Sequence, residues 1–141
     1  MAGMEGLGRL LDAVPIAAGN AFKFRGASAI TFLCTGNDTF TITVASTFGG
    51  SYATPGNIIN HFYQRIDTNA THAWSKQTQS ASNAVVQANA GYTTAFEVLT
   101  SMIADPSAYI KVSVGGSGLV TAVLHDLVVQ RKPANLEVLG S

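Results

Sequence analysis

Residues 27–46 read ASAITFLCTGNDTFTITVAS, and the fold class follows from this stretch. Ile30, Phe32 and Cys34 alternate with Ala29, Thr31 and Leu33, and Phe40, Ile42 and Val44 alternate strictly with Thr39, Thr41 and Thr43. A period of two places each apolar set on one side of a pleated strand. Gly36, Asn37 and Asp38 between the runs supply the left-handed backbone and short polar side chains of a tight turn. The pattern predicts a β-hairpin. A second one is expected at residues 109–131, where Ile110, Val112 and Val114 share a face, Gly115 to Gly118 turn the chain, and a long apolar strand runs from Leu119 to Arg131. So few polar positions interrupt that strand that it is expected to be covered on both faces.

Between these pairs the sequence is less regular. Residues 46–56, STFGGSYATPG, read as a loop. Ile58, Ile59, Phe62, Tyr63 and Ile66 then fall on one helical stripe behind a possible N-cap at Asn57, and the spacing predicts one amphipathic helix. Residues 69–91 are rich in Ala, Ser, Asn, Gln and Thr, with Trp74, Val85 and Val86 as anchors, and read either as short strands or as irregular excursions. Thr94-x-x-Glu97 ahead of Val98, Leu99 and Ile103 fits a capping box and short helix as well as a strand, and both readings stay open. The expectation for residues 1–141 is one mainly β domain, an antiparallel β-sandwich or barrel-like fold with one or two short helices. Residues 1–20, with Leu7, Leu10, Leu11 and Val14, are expected as an N-terminal arm. Residues 133–141, PANLEVLGS, are expected as an extended C-terminal arm, because X-Pro segments favour extended backbone.

Charge bounds the partners. The 141 residues hold eight Lys plus Arg and eight Asp plus Glu, so 11% are charged and the formal net charge is zero. A soluble domain commonly carries about 25%. Binding that depends on neutralising phosphates needs a basic excess, which is missing, so nucleic acid is not an expected partner. No apolar run reaches the ~20 residues of a membrane-spanning helix, and Asp12 and Pro15 interrupt the run after Arg9, the one early basic residue, that a secretory signal would need. A neutral, charge-poor exterior favours association, and interface centres are depleted in charge.

Reactive constellations are sparse. Cys34 is the single cysteine and lies in an apolar run, where burial keeps a thiol inert. His61, His72 and His125 match no metal-ligand spacing, and no metal or cofactor is expected. His125 and Asp126 are neighbours on a predicted strand, so their side chains are expected on opposite faces. Gly49-Gly50-Ser51-Tyr52-Ala53 and Gly115-Gly116-Ser117-Gly118-Leu119 both lack the last glycine of a nucleophile elbow and read as turns. The eight carboxylates, Glu5, Asp12, Asp38, Asp67, Glu97, Asp105, Asp126 and Glu137, do not cluster in sequence. Arg131-Lys132 is the one adjacent basic pair. Trp74, Tyr52, Tyr63 and Tyr92 are candidates for an aromatic sugar platform, although core or loop anchoring is the better account of them.

Residues 105–139, DPSAYIKVSVGGSGLVTAVLHDLVVQRKPANLEVL, together with TFTITVAS at 39–46 and the Ala/Ser/Asn-rich middle, are similar to small structural proteins of tailed-bacteriophage virions, above all the capsid decoration or minor capsid proteins of the phage head. The resemblance implies a non-enzymatic β-rich subunit that binds the major capsid protein and copies of itself, often as a trimer, in a virion assembled in the host cytoplasm. It also implies terminal arms as clamps, with Leu10, Leu11, Leu136, Val138 and Leu139 as assembly contacts. Deleting residues 133–141 is then expected to weaken particle association and leave the fold intact. A tail-tube, tail-terminator or head-to-tail joining subunit is the alternative within the same resemblance, and a carbohydrate-binding β-sandwich with Trp74 on its platform is the alternative outside it.

Overall fold

The computed structural model describes residues 6–8, 10–16, 20–66 and 73–140. Of the described residues 57% are strand, arranged as two antiparallel sheets that face each other as a β-sandwich and do not close into a barrel. The strands are β1 (Leu11–Ile16), β2 (Ala21–Lys23), β3 (Ala27–Thr35), β4 (Asp38–Ala45), β5 (Ile59–Ile66), β6 (Trp74–Ser82), β7 (Ala84–Gln87), β8 (Tyr92–Leu99), β9 (Tyr109–Val114) and β10 (Leu119–Leu127). One sheet has six strands in the order β1-β10-β3-β8-β5-β6, and the other has four in the order β2-β9-β4-β7.

Neither expected hairpin forms. β3 pairs with β10 and β8 in the larger sheet, while β4 pairs with β9 and β7 in the smaller, so the turn at Gly36 and Asn37 carries the chain from one sheet to the other. Residues 115–118 do the same between β9 and β10. The physical reason lies in the apolar faces. A hairpin would lay the Ile30 and Phe40 sets side by side on one surface, whereas an arch turns them toward each other and buries both. Ile30, Phe32, Cys34, Phe40 and Ile42 are all at 0% exposure. Phe32 stacks on Phe96 with ring centroids 5.1 Å apart and packs against Phe22 at 6.4 Å.

The two arches lie against each other. Gly36 has φ of 97°, and a Cβ on it would come within 3.1 Å of the Gly118 Cα. Asp38 closes the contact: its carboxylate accepts hydrogen bonds from the backbone N–H groups of Gly115, Gly116 and Gly118, each at 2.9 Å. These donors, with Gly118 first, and the Thr39 N–H at 2.8 Å hold the carboxyl below its ordinary range. The glycines read as turn formers are thus turn formers that also cradle an internal anion.

The expected helix at 57–66 is instead β5, and the only helical pieces among the described residues are the single turns Thr100–Met102 and Pro133–Asn135. β-Branched and aromatic side chains suit a pleated surface, and β5 sends Phe62 to the core while Tyr63 stays outside. A register shift between Ile59 and His61 lets Ile59 turn inward too, which is why the apolar spacing imitates a helix. Thr94 and Glu97 lie on β8; Thr94 caps nothing, since its hydroxyl donates to the buried Gln87 carbonyl.

The terminal segments read as arms make contacts within the chain. Leu11–Ile16 is an edge strand paired with β10. The Arg131 N–H donates to the Gly8 carbonyl at 2.7 Å, the Lys23 N–H donates to Leu139 at 2.9 Å, and Leu139 packs on the core. Leu136 and Leu139 line a small cavity of about 150 Å³ with Arg25, Leu124 and Leu127.

Candidate functional site

The register of the six-stranded sheet builds one continuous outer surface. Pro15, Thr121, Leu33, Ala95, Tyr63 and Lys76 stand in a row across all six strands. On one side of it lies the row Leu119, Thr35, Thr93, Arg65 and Trp74. On the other side come Ala13, Val123, Thr31 and Glu97, then Leu11, His125, Ala29 and Leu99. Side chains on a strand alternate, so these residues point away from the buried Ile30, Phe32 and Cys34. The centre of the surface is threonine, alanine, leucine and valine. Leu33, Tyr63, Trp74, Leu99 and Leu119 are exposed, Leu119 at 70%.

This surface departs from the usual antiparallel pattern, in which the face away from the core is polar. The expectation that the β10 strand is covered on both faces is met on one side only within this chain. Ala122 and Leu124 are buried, while Thr121 and Val123 stand half-buried on the outer surface. The smaller sheet is treated differently. Its outer side is partly covered by the 46–56 loop, where the Phe48 ring packs on Tyr109 and the Lys111 ammonium lies 4.3 Å from the Tyr52 ring, while Ala53 bridges to Val44 at the edge of β4.

At one end of the large face the sheet splits. β5 pairs with β8 from Tyr63 to Ile66, and the pairing stops there. Ile59 to Phe62 diverge from Phe96 to Leu99, opening a cleft of about 420 Å³ with Phe62 and Phe96 in its floor and His61, Glu97 and Met102 among its walls. His125 sits near its rim, its Nε2 2.9 Å from Thr31 Oγ1 and 3.8 Å from a Glu97 carboxylate oxygen. Its Nδ1 is 3.1 Å from Asp126 Oδ2, contrary to the expectation that the two side chains are separated. Asp126 adopts φ of 54°, which breaks strand alternation and swings its carboxylate beside the imidazole. His61 contacts Asn60 and packs edge-on to Tyr63. His72 lies outside the described residues, and among those described no three His, Cys, Asp or Glu side chains group as metal ligands. Cys34 is buried and its thiol is pushed up to about 12.

The five expected assembly residues do not share one environment. Leu10 and Val138 are exposed, at 69% and 74%. Leu11 is half-buried on β1, and Leu136 and Leu139 face the cavity beneath the C-terminal segment. Trp74 is exposed, with the Arg65 guanidinium 5.4 Å from its ring. Residue-by-residue reading missed the face itself. Its one trace in the sequence is the scarcity of polar residues along 119–131.

The four sheet edges are each blunted, by different means. Pro15 on β1 lacks an N–H to offer, and β6 carries Lys76 and the register shift opposite Ile59. β2 has three residues and is tied to Leu139, and β7 has four. Short strands, proline, lysine and bulges all discourage pairing with another chain's edge. The open surface is therefore a face rather than an edge. No known protein family, curated protein or solved structure matches this chain.

Proposed function

We propose that this chain is a non-enzymatic structural subunit, which docks on a larger protein assembly through the outer face of its six-stranded sheet. One observation carries the reading: a charge-poor face of Leu, Val, Ala and Thr spans six strands and is left open by the described residues, while every edge is blunted. Protein interfaces have this anatomy, with an uncharged centre and charges toward the rim. The setting is that of the resemblance at residues 105–139, a decoration or minor capsid subunit on the major capsid protein of a tailed-phage head, with a tail-tube, terminator or joining subunit as the variant. The contact surface, however, moves from the arm leucines to the sheet face.

The test is co-sedimentation with purified tailed-phage shells stripped of their accessory proteins. The full chain is expected to pellet with the shells. Thr121→Arg, which places a charge in the middle of the face, is expected to remain in the supernatant with unchanged melting temperature. Equal pelleting of both proteins would rule out this face, and pelleting of neither would rule out the capsid setting.

A carbohydrate-binding role has one observation in its favour: Tyr63 and Trp74 are exposed on the same face of neighbouring strands. It requires a Trp74 fluorescence change on glycan addition, and a flat titration over a broad glycan panel excludes it.

A further inference from the structure

The blunted edges are the outer ones, and two further strand edges lie inside the large sheet. From Tyr63 to Ile66, β5 bonds β8, and toward Ile59 the two strands part. Phe96 to Leu99 stay paired with Phe32 to Ala29 of β3 on one side only. Ile59 to Phe62 have β6 on one side, across the register shift, and the cleft on the other. Alternate residues of an antiparallel strand turn both N–H and C=O to the same side. Each four-residue stretch therefore presents backbone donors and acceptors to the cleft, and among the described residues no other backbone segment pairs with them there.

We infer that the cleft admits an extended segment of the docking partner, which adds as a short strand between β5 and β8 and carries a basic side chain beside Glu97. This rests on the docking reading of the same face and names what enters it. In strand addition, main-chain hydrogen bonds give affinity and pockets for alternate side chains give selectivity. A small apolar molecule would fill the volume and leave both strand edges unmatched, whereas a polypeptide matches edges and floor together. Because β5 and β8 run antiparallel, the added strand is antiparallel to one and parallel to the other. Four residues at about 3.3 Å each span about 13 Å. Every second side chain then faces the floor, where Phe62 and Phe96 call for an apolar group, and those between emerge on the outer face.

The charge follows from the walls. Among the described residues Glu97 is the one carboxylate lining the cleft, and no lysine or arginine lines it. The Glu97 side chain is half-exposed, and the His125 imidazole lies 3.8 Å away, beyond hydrogen-bond length. A lysine or arginine opposite Glu97 on the added strand makes a favourable cross-strand pair, and a carboxylate there meets like charge.

The test is a proton–nitrogen NMR titration of the full chain with four probes: the acetylated, amidated hexapeptides TVKVTV and TVEVTV, TVKVTV methylated on its backbone nitrogens, and hexylamine. TVKVTV is expected to shift amides within residues 59–62 and 96–99 and to slow their exchange with solvent. TVEVTV is expected to bind about fivefold more weakly, and the methylated peptide and hexylamine to leave both stretches unchanged. Glu97→Lys, first checked for native melting temperature, is expected to reverse the order of the two peptides. A TVKVTV titration that moves neither stretch, equal binding of the methylated peptide or of hexylamine, shifts confined to the outer strands β1, β2, β6 or β7, or a peptide order indifferent to Glu97→Lys overturns the inference. Pelleting with shells beside a silent peptide titration leaves the docking reading standing, whereas peptide binding by a chain that ignores shells removes the capsid setting and keeps the strand site.

Discussion

Replacing Gln87 by leucine is the sharpest test of how the two sheets are joined. Gln87 ends β7 in the smaller sheet at 0% exposure, yet its side chain reaches into the larger one. Its amide nitrogen donates to the Gly36 carbonyl at 2.6 Å and to the Tyr92 carbonyl at 2.9 Å, and its carbonyl accepts from the buried Thr94 hydroxyl. Leucine fills nearly the same volume, so little of the loss comes from a cavity. What changes is that three hydrogen bonds vanish, each worth about 1 kcal/mol net, and their former partners are left in the interior, where an unpaired polar group costs about 1–3 kcal/mol. Thr94 is fully buried, whereas the Gly36 and Tyr92 backbones lie in half-buried residues, which places the total at about 3–4 kcal/mol. Urea unfolding followed by circular dichroism should show a lower midpoint with an unchanged m-value. Adding Thr94→Val removes the stranded hydroxyl, so the double variant should lose clearly less than the sum of the two single losses. A Gln87→Leu loss below about 1 kcal/mol, or strict additivity with Thr94→Val, would refute the clamp.

Three further outcomes are expected. Because four backbone N–H groups, Gly118 first, then Thr39, Gly115 and Gly116, hold the Asp38 carboxyl below its ordinary 3.8, that group stabilises the fold at pH values above 3.8, and the contribution disappears as pH falls from there through the lowered folded value. Melting temperatures from pH 7 to pH 2.5 should therefore show Asp38→Asn well below wild type at neutral pH and converging with it at the acid end. Arg25 donates to the carbonyls of Ser107, Thr100 and Ile103 at 2.9–3.0 Å, and a lysine cannot reproduce that fork, so Arg25→Lys should cost about 1–3 kcal/mol by urea unfolding and increase amide exchange across residues 100–107. Truncation after Lys132 removes Leu139 from the core and the Lys23 to Leu139 hydrogen bond, and should lower stability by about 2–3 kcal/mol, against the sequence expectation of an arm dispensable to the fold.

Much of the architecture was readable in residue order. Alternation is a local property of a strand, so Ile30, Phe32, Cys34, Phe40, Ile42 and Val44 could be assigned to the core without knowing what they face. Where the alternation was disturbed, reading failed. The register shift at Ile59 gave β5 a helix-like spacing, and the left-handed Asp126 brought together two side chains that strict alternation separates. The candidate site was legible only as a scarcity of polar residues in 119–131, because its rows draw on six strands that are far apart in sequence.

The sequence by itself determined that this protein is β-rich and charge-poor, since composition and period-two patterning are properties of neighbouring residues. Only the tertiary structure decided that each apparent hairpin is an arch between sheets. The same glycines and Asx residues serve either turn, and the choice rests on which distant strands compete for the free edges of β3 and β4. It also decided where the uncovered surface lies. The arches turn two apolar faces inward against each other, and the register left over aligns the remaining threonines, leucines and valines into a single outward face.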